Sequence, residues 1–175
     1  MDVFKLKTIK NLELPSWEDF PDIDLYMDQL VSLGNRYLIE LSTNQITASM
    51  VNSYVKKGLI TRPVKKKYQR QHIAELLMVS LFKAVYSLES VKQVIQQIFA
   101  EESAQSAYNN FAALFNYDLR LINGENIPDV TKVANTEPVI NKIEEYTIRA
   151  SIYQMLGQKE IALQPPPRAK EQKKH

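Results

Sequence analysis

Cysteine is absent from this sequence of 175 residues. Disulfides, thiol nucleophiles, zinc fingers and iron–sulfur clusters are therefore excluded. Histidine occurs only as His72 and His175, so a histidine-based zinc site is not expected either. The longest apolar run, residues 76–82, has seven residues including one serine, whereas a transmembrane helix needs about 20. Because residues 1–5 also lack the order of a signal peptide, we expect a cytoplasmic protein that does not enter a membrane.

Recognisable catalytic motifs are missing as well. Glycine occurs four times, and the sequence has no Gly-rich phosphate loop, no Gly-x-Ser-x-Gly elbow and no His-Glu-x-x-His motif. The acid pairs Glu101-Glu102 and Glu144-Glu145 are adjacent in sequence. Adjacent side chains on a helix point about 100° apart, which suits solubility better than two-carboxylate catalysis. We therefore expect no enzymatic activity and no cofactor.

Apolar residues, 45% of the chain, recur at helical spacing and predict an all-α fold. Helices are predicted from near Leu25 to Leu41, over 47–57, over 69–85, from Ser87 onward, over 103–122 and over 137–162. The helix over 69–85 is predicted to bury one face, formed by Ile73, Leu76, Leu77, Ser80, Leu81 and Ala84. Thr47 and Ser87 are predicted N-caps, Gly58 a left-handed C′ residue, and Asp22 or Asp24 the cap of the first helix.

The remaining segments are predicted to be irregular. Residues 1–22 contain two prolines and no sustained periodicity, so they predict an arm that Trp17 and Phe20 pin to the body. Residues 124–136 predict a polar loop. The basic residues 164–175 predict a disordered tail.

Basic residues are concentrated in one short segment. Residues 41–74 contain seven basic side chains and no acidic one, which leaves 15 basic against 20 acidic residues in the rest of the chain. The seven are Lys56, Lys57, Arg62, Lys65, Lys66, Lys67 and Arg70. A basic segment in an otherwise acidic protein suggests a polyanion partner. The alternative is a solvated loop without a partner.

The predicted helix 47–57 has two different faces. Val51, Tyr54 and Val55 cluster on one side. The opposite stripe, at positions i, i+3, i+4 and i+7, consists of Ser49, Asn52, Ser53 and Lys56. Short polar side chains of this kind reach base edges or phosphates in a major groove. An ordinary solvent-facing stripe has the same pattern, and spacing alone does not separate the two.

The order of elements resembles a MerR-type winged helix-turn-helix with a small β wing. The matching residues are 51–60, Pro63, Lys66-Lys67-Tyr68, Ile73, Leu76, Leu77, 87–91 and Val94-Ile95. The run Trp17 to Asp28 is also similar to the N-terminal Trp-x-x-x-Pro-Asp-Ile-Asp-Leu-Tyr-Met-Asp of a family of short bacterial proteins known only as a domain of unknown function.

The MerR resemblance implies that helix 47–57 enters the major groove of double-stranded DNA and that the basic wing 61–68 contacts phosphates. The residues expected to contact DNA are Ser49, Asn52, Ser53, Lys56, Lys57, Arg62, Lys65, Lys66, Lys67, Tyr68 and Arg70. For Tyr68, packing against the following helix is the alternative to stacking on a base. His72 is expected to be structural or to lie beside a phosphate.

The last predicted helix has two apolar faces. One is a heptad-like seam formed by Val139, Ile143, Tyr146, Ala150 and Tyr153, and the other contains Ile140, Ile148, Ile152 and Met155. A helix that is apolar on two faces is either deeply buried or shared between two subunits. Helix-turn-helix proteins usually bind paired half-sites, so we expect a homodimer.

Together these features predict a dimeric DNA-binding transcriptional regulator. The predicted organisation is an arm (1–22), a winged helix-turn-helix domain (23–100), a helical dimerisation or effector region (101–163) and a basic tail (164–175). An effector ligand is not identifiable from the sequence. The alternative is a helical protein–protein adaptor that does not bind DNA. One continuous basic face that includes the stripe on helix 47–57 would favour the first function, and scattered charges would favour the second.

Overall fold

The structure, a computed structural model, describes residues 12–39, 41, 45–125 and 139–164. Six α-helices occur in these residues: α1 (Met27–Leu38), α2 (Ala48–Lys57), α3 (Arg70–Phe82), α4 (Leu88–Glu101), α5 (Ala104–Ile122) and α6 (Val139–Ala162). The predicted all-α class is confirmed for this part of the chain. Residues 1–11 of the predicted arm, residues 126–136 of the predicted loop and residues 165–175 of the predicted tail lie outside it.

Helix α3 is the centre of the molecule. Every residue from His72 to Phe82 is buried, and the helix packs against α1, α4, α5 and α6. The predicted single apolar face is therefore wrong, because a helix surrounded by four others is buried on all sides. One hydrophobic core extends from Leu14 to Leu156 and contains residues of all six helices. The predicted domain boundary between residues 100 and 101 lies just before the last residue of α4. No helix among the described residues has the length and apolarity needed to cross a membrane.

Helix α1 begins two residues later than predicted and is not capped by an aspartate. Leu25 exchanges both backbone hydrogen bonds with Tyr68, each 2.8 Å between nitrogen and oxygen. Because this bridge holds Leu25 in an extended conformation, the helix begins only at Met27, and the Gln29 side chain accepts a hydrogen bond from the Tyr26 backbone N–H. Asp24 instead accepts hydrogen bonds from Lys67 and Gln69.

The arm is fixed to α5 as predicted, through its aromatic residues and through hydrogen bonds. A short 3₁₀ helix, Trp17–Asp19, leads to Phe20, which is 2% exposed and lies 4.9 Å from Tyr108 between ring centroids. The Tyr108 hydroxyl donates to the Pro15 carbonyl oxygen at 2.9 Å. Burial raises the pKa of this hydroxyl, so it stays protonated and remains a donor.

Two capping residues and one pair of side-chain hydrogen bonds, here called the clasp, fix the position of α2. The Thr47 hydroxyl accepts from the Met50 backbone N–H, and Gly58 ends the helix with a φ of 73°, as the sequence predicts. The Asn35 side chain donates to the Ile46 carbonyl oxygen and accepts from the Ile46 N–H, at 2.9 and 2.7 Å. This two-point clasp fixes the entry of α2 against α1.

The predicted β wing does not form as strands. Within the described residues the wing segment, residues 61–68, contributes only two isolated bridges, Val64 with Lys67 and Leu25 with Tyr68. Pro63 has no N–H to donate to a ladder, and the tight turn from Val64 to Lys67 leaves too few residues for two paired strands. The wing is thus a single turn, here called the wing turn (residues 64–67).

Helix α6 buries the second of its two predicted apolar faces. Ile148, Ile152 and Met155 are at most 5% exposed. On the heptad-like seam, Tyr146 and Tyr153 are each 62% exposed, and Ile143 and Ala150 are half-buried. The side chain of Val139, the first seam residue, lies outside what the structure describes.

Candidate nucleic-acid interface

The outward face of α2 presents the predicted polar stripe. Ser49, Asn52 and Lys56 are exposed, and Ser53 is half-buried. The opposite face is anchored in the core, with Val51 fully buried and Tyr54 3% exposed. Because α2 has ten residues, its length is about 15 Å at 1.5 Å per residue. The stripe is therefore a short, solvent-facing polar surface on a helix whose other face is held in the core.

The wing turn carries its lysines in an unusual backbone conformation. Lys65 and Lys66 have φ values of 50° and 64°, and both side chains are exposed. Two successive residues with positive φ are typical of the type I′ turn of a two-residue hairpin. Lys66 and Asn52 line the same concave surface, a groove of about 880 Å³ between α1, α2 and the wing turn. The fold therefore brings Asn52 of the α2 stripe and Lys66 of the wing turn to one surface.

Two of the predicted phosphate-binding cations have acidic partners. The Lys67 ammonium lies 3.3 Å from Asp24, and Arg70 lies 3.9 Å from Asp22 and donates to the Phe20 carbonyl oxygen. Hydrogen bonds from Gln69 and then Lys67 lower the pKa of the Asp24 carboxyl. The basic segment is therefore divided, because Lys67 faces Asp24 and Arg70 faces Asp22.

The other five cations are exposed and have no acidic partner among the described residues. They are Lys56, Lys57, Arg62, Lys65 and Lys66. Lys56, Lys57 and Arg62 line a second concave surface, here called the basic cleft, between the end of α2, residues 58–62 and α4. The seven cations therefore do not form the one continuous basic face that would favour DNA binding: Lys67 and Arg70 face carboxylates, Lys66 lines the groove with Asp28, and Lys56, Lys57 and Arg62 line the basic cleft.

Tyr68 is not available as a contact. Its side chain is 4% exposed, and its ring meets that of His72 edge-on with centroids 5.4 Å apart. The alternative of packing against the following helix is therefore correct, and stacking on a base is excluded by burial. His72 is also buried, and its Nδ1 accepts from the Gln69 backbone N–H at 2.8 Å, so it has the structural role foreseen as one possibility.

A buried carboxylate that the sequence did not single out holds the start of the wing segment. Glu75 is 4% exposed, and it accepts from the backbone N–H and the hydroxyl of Thr61, each at 2.7 Å, and from Gln71 at 2.9 Å. The only sequence signal was an acidic residue within an otherwise apolar stretch of α3. Glu75 thereby sets the position of Arg62, one residue beyond its partner Thr61.

Comparison with known proteins gives one family. The model for Domain of unknown function (DUF1836) matches residues 15–113, which is more than half of the chain and includes α1 to α4. No curated protein matches the chain, and no solved structure does so. The matched stretch includes the Trp17 to Asp28 run, α2, the wing turn and the basic cleft. The chain therefore belongs to the DUF1836 family.

Proposed function

We propose that this protein is a DNA-binding transcriptional regulator whose α2 enters the major groove while the wing turn grips the adjacent backbone. The observation that carries the proposal is the exposed α2 stripe, whose Asn52 lines the same groove as the wing-turn residue Lys66, a lysine without an acidic partner among the described residues. A major groove about 12 Å wide admits one helix. Ser49 and Asn52 would then face base edges, and Asn pairs bidentately with adenine.

Phosphate contacts follow from the five free cations. Lys65 and Lys66 would bind the backbone on the wing side, and Lys56, Lys57 and Arg62 would bind it beyond the C-terminal end of α2. Lys67 and Arg70 contribute less, because carboxylates already offset part of their charge. Lysine supplies point charge and arginine bidentate recognition, so backbone electrostatics dominate this interface.

A MerR-like affiliation is part of the proposal. It is supported by the order of α1, α2, a Gly58-capped turn, the basic wing segment and the buried α3. The wing is a single turn in this chain, and it would contact DNA through the charges of Lys65 and Lys66. The predicted helix-turn-helix domain 23–100 would contain all the proposed contacts.

The first test separates charge from folding at the wing turn. Replacing Lys65→Asn together with Lys66→Gly supplies the Asn-Gly pair that type I′ turns prefer, so the free energy of unfolding should rise by about 1 kcal/mol. Binding to random-sequence duplex DNA should nevertheless weaken, with the slope of log affinity against log salt flattened by about 2. Fluorescence anisotropy at several salt concentrations measures the DNA affinity and its salt slope. Urea denaturation measures the free energy of unfolding.

Two comparison variants sharpen this test. Lys159→Gln removes one charge from α6 and should leave the slope unchanged. Asn52→Ala should keep the slope but relax sequence preference, by about 1 to 3 kcal/mol at the base it reads. Absence of DNA binding even at low salt would reject the DNA proposal, and an unchanged slope in the double variant would remove the wing turn from it.

A protein–protein adaptor is the second candidate, and one observation favours it. The groove that Asn52 and Lys66 share is lined mainly by apolar side chains, including Met27, Val31 and Val55. Tyr26 at its edge is 56% exposed. Such a surface accepts the apolar face of a partner helix. If the wild-type protein does not bind DNA, this groove becomes the leading functional surface.

We further propose that two copies pair through the exposed seam of α6. Tyr146 and Tyr153 project from the helix face opposite the core residue Ile148. Ala150 between them permits close approach of a second helix. An antiparallel pair centred near Ala150 would bring Lys142 of one copy towards Glu160 of the other, since they lie eight residues before and ten residues after it. The same patch then serves both subunits, as a two-fold interface requires.

If two copies pair through the α6 seam, the apparent mass of the protein in solution should rise with protein concentration. Tyr146→Ser with Tyr153→Ser should raise the dimer dissociation constant by at least about tenfold, since interface tyrosines often contribute more than 1 kcal/mol each. Tyr86→Ser, which removes another exposed tyrosine, is the matched control and should have no effect. Sedimentation velocity decides the matter, and a wild-type protein that stays monomeric at high concentration would refute the interface.

A further inference from the structure

The basic cleft has the size of a small-molecule site. Its volume is about 530 Å³, within the range of about 300 to 1,000 Å³ typical of ligand pockets. One wall is the end of α2 with residues 58–62, and the other is the α4 face that carries Lys92, Ile95, Gln96 and Phe99. Gln71 and Glu75 of α3 lie between these walls.

The inner part of the cleft is apolar. Leu59, Ile60 and Ile95 are at most 4% exposed, and they line the cleft together with Phe99, which is half-buried and packs against the core. Since Leu59, Ile60 and Ile95 have almost no surface left in water, the half-buried Phe99 is the residue among these four whose apolar surface the hydrocarbon part of a ligand would cover.

The rim of the cleft is strongly cationic. Lys56, Lys57, Arg62 and Lys92 all line it, and none of them has an acidic partner among the described residues. Glu75, the one acidic residue among the described lining residues, already has both oxygens engaged by Thr61 and Gln71.

Lys92 reaches from α4 to the C-terminal end of α2. Its Cε and Nζ lie 3.6 Å from the position that a Cβ on Gly58 would occupy. Its charge therefore adds to that of Lys56 and Lys57 at the mouth of the cleft. Like charges around a concave apolar surface focus the electrostatic potential and concentrate anions there.

We propose that the basic cleft binds a small amphipathic organic anion, with its apolar body against Phe99 and its anionic group held by Lys92 and the α2 lysines. DNA phosphates alone do not account for this arrangement, since they carry no apolar body to cover the lining. Lys56, Lys57 and Arg62 are also proposed phosphate contacts, so a bound anion would compete with DNA for them. This regulatory consequence rests on the proposed DNA-binding function, whereas the site itself does not.

The site is tested on the protein alone with 8-anilinonaphthalene-1-sulfonate, whose fluorescence rises in apolar surroundings. Lys92→Gln and Gln96→Glu should each raise its dissociation constant by about fivefold, since one charge contact contributes about 1 kcal/mol near a surface. Gln93→Glu is the matched control, because Gln93 is exposed on α4 but does not line the cleft. It should change the dissociation constant by less than about twofold.

Competition defines the ligand chemistry. Decanoate should displace the probe, whereas decanol, which lacks the charge, and inorganic phosphate, which lacks the chain, should not. Equal displacement by decanol, or equal effects of Gln93→Glu and Gln96→Glu, would overturn the anion site. If DNA binds but the probe does not, the cleft proposal fails while the proposed function stands. If the probe binds in the predicted pattern and DNA does not, the site stands and its link to DNA fails.

Discussion

Replacing Glu75 with alanine is expected to lower the free energy of unfolding by about 2 to 4 kcal/mol. The carboxylate accepts three hydrogen bonds, from the Thr61 backbone N–H, the Thr61 hydroxyl and the Gln71 amide. Hydrogen bonds to a charged group contribute about 1.5 to 3 kcal/mol each, and their sum is reduced because water reaches exposed Thr61 after truncation. Urea denaturation followed by circular dichroism measures the change.

Two other substitutions give this result its meaning. Thr61→Val removes one of the three hydrogen bonds and should cost about 1 kcal/mol. Glu89→Ala removes an exposed carboxylate from the first turn of α4, where loss of the dipole interaction costs less than about 1 kcal/mol. If Glu75→Ala were no more destabilising than Glu89→Ala, Glu75 would not be the residue that holds the wing segment.

Replacing Glu144 with glutamine is expected to stabilise the protein at alkaline pH. Glu144 lies on α6 with its Oε1 buried and without a hydrogen-bond partner among the described residues. Burial, assisted by the nearby Glu102 carboxylate, raises the pKa of Glu144 to about 7 from a value of 4.5. This carboxyl is therefore a destabilising charge inside the fold, contrary to the solubilising role that its sequence position suggested.

The sign of the pH dependence follows from proton binding. Between pH 4.5 and about 7 the folded chain keeps a proton on Glu144 that the unfolded chain releases. The contribution to stability is therefore full below pH 4.5 and is lost as the pH rises through 7, by about 3 kcal/mol. Glu144→Gln removes this loss, so the variant should exceed the wild type by that amount at pH 8 and match it near pH 4.5.

The neighbouring Glu145 is the control for this experiment. It forms an ion pair with Arg149 at 2.7 Å, so Glu145→Gln should slightly lower stability at pH 8. Chemical denaturation of both variants at pH 4.5, 6 and 8 separates the effects. A Glu144→Gln variant whose difference from the wild type does not grow with pH would show that Glu144 ionises normally in the folded protein.

Local features could be predicted from the sequence because they depend on residues a few positions apart. The Thr47 cap joins side chain and backbone across three residues, and the Ser87 cap does the same. Gly58 ends α2 because only glycine adopts a positive φ without strain. The polar stripe of α2 follows from 3.6 residues per turn, so the outward position of Asn52 could also be predicted.

Contacts between distant residues decided the division of the basic segment. Asp24 and Lys67 are 43 positions apart, and no local pattern relates them. The bridge between Leu25 and Tyr68 both delays the start of α1 and brings the neighbouring Asp24 to the wing segment. Charge counting therefore placed seven cations in one segment, and five of them have no carboxylate partner among the described residues.

The sequence by itself determined the helical class, the helix caps, the polar stripe of α2 and the concentration of positive charge, since propensity, periodicity and composition are local properties. Only the tertiary structure decided that α3 is buried on all sides, that α6 buries Ile148 and exposes Tyr146, that Glu75 is buried, and that Oε1 of Glu144 is shielded from water. The physical reason is that the spacing of apolar residues along a helix identifies which of its faces are apolar, whereas the burial of those faces depends on which other helices pack against them.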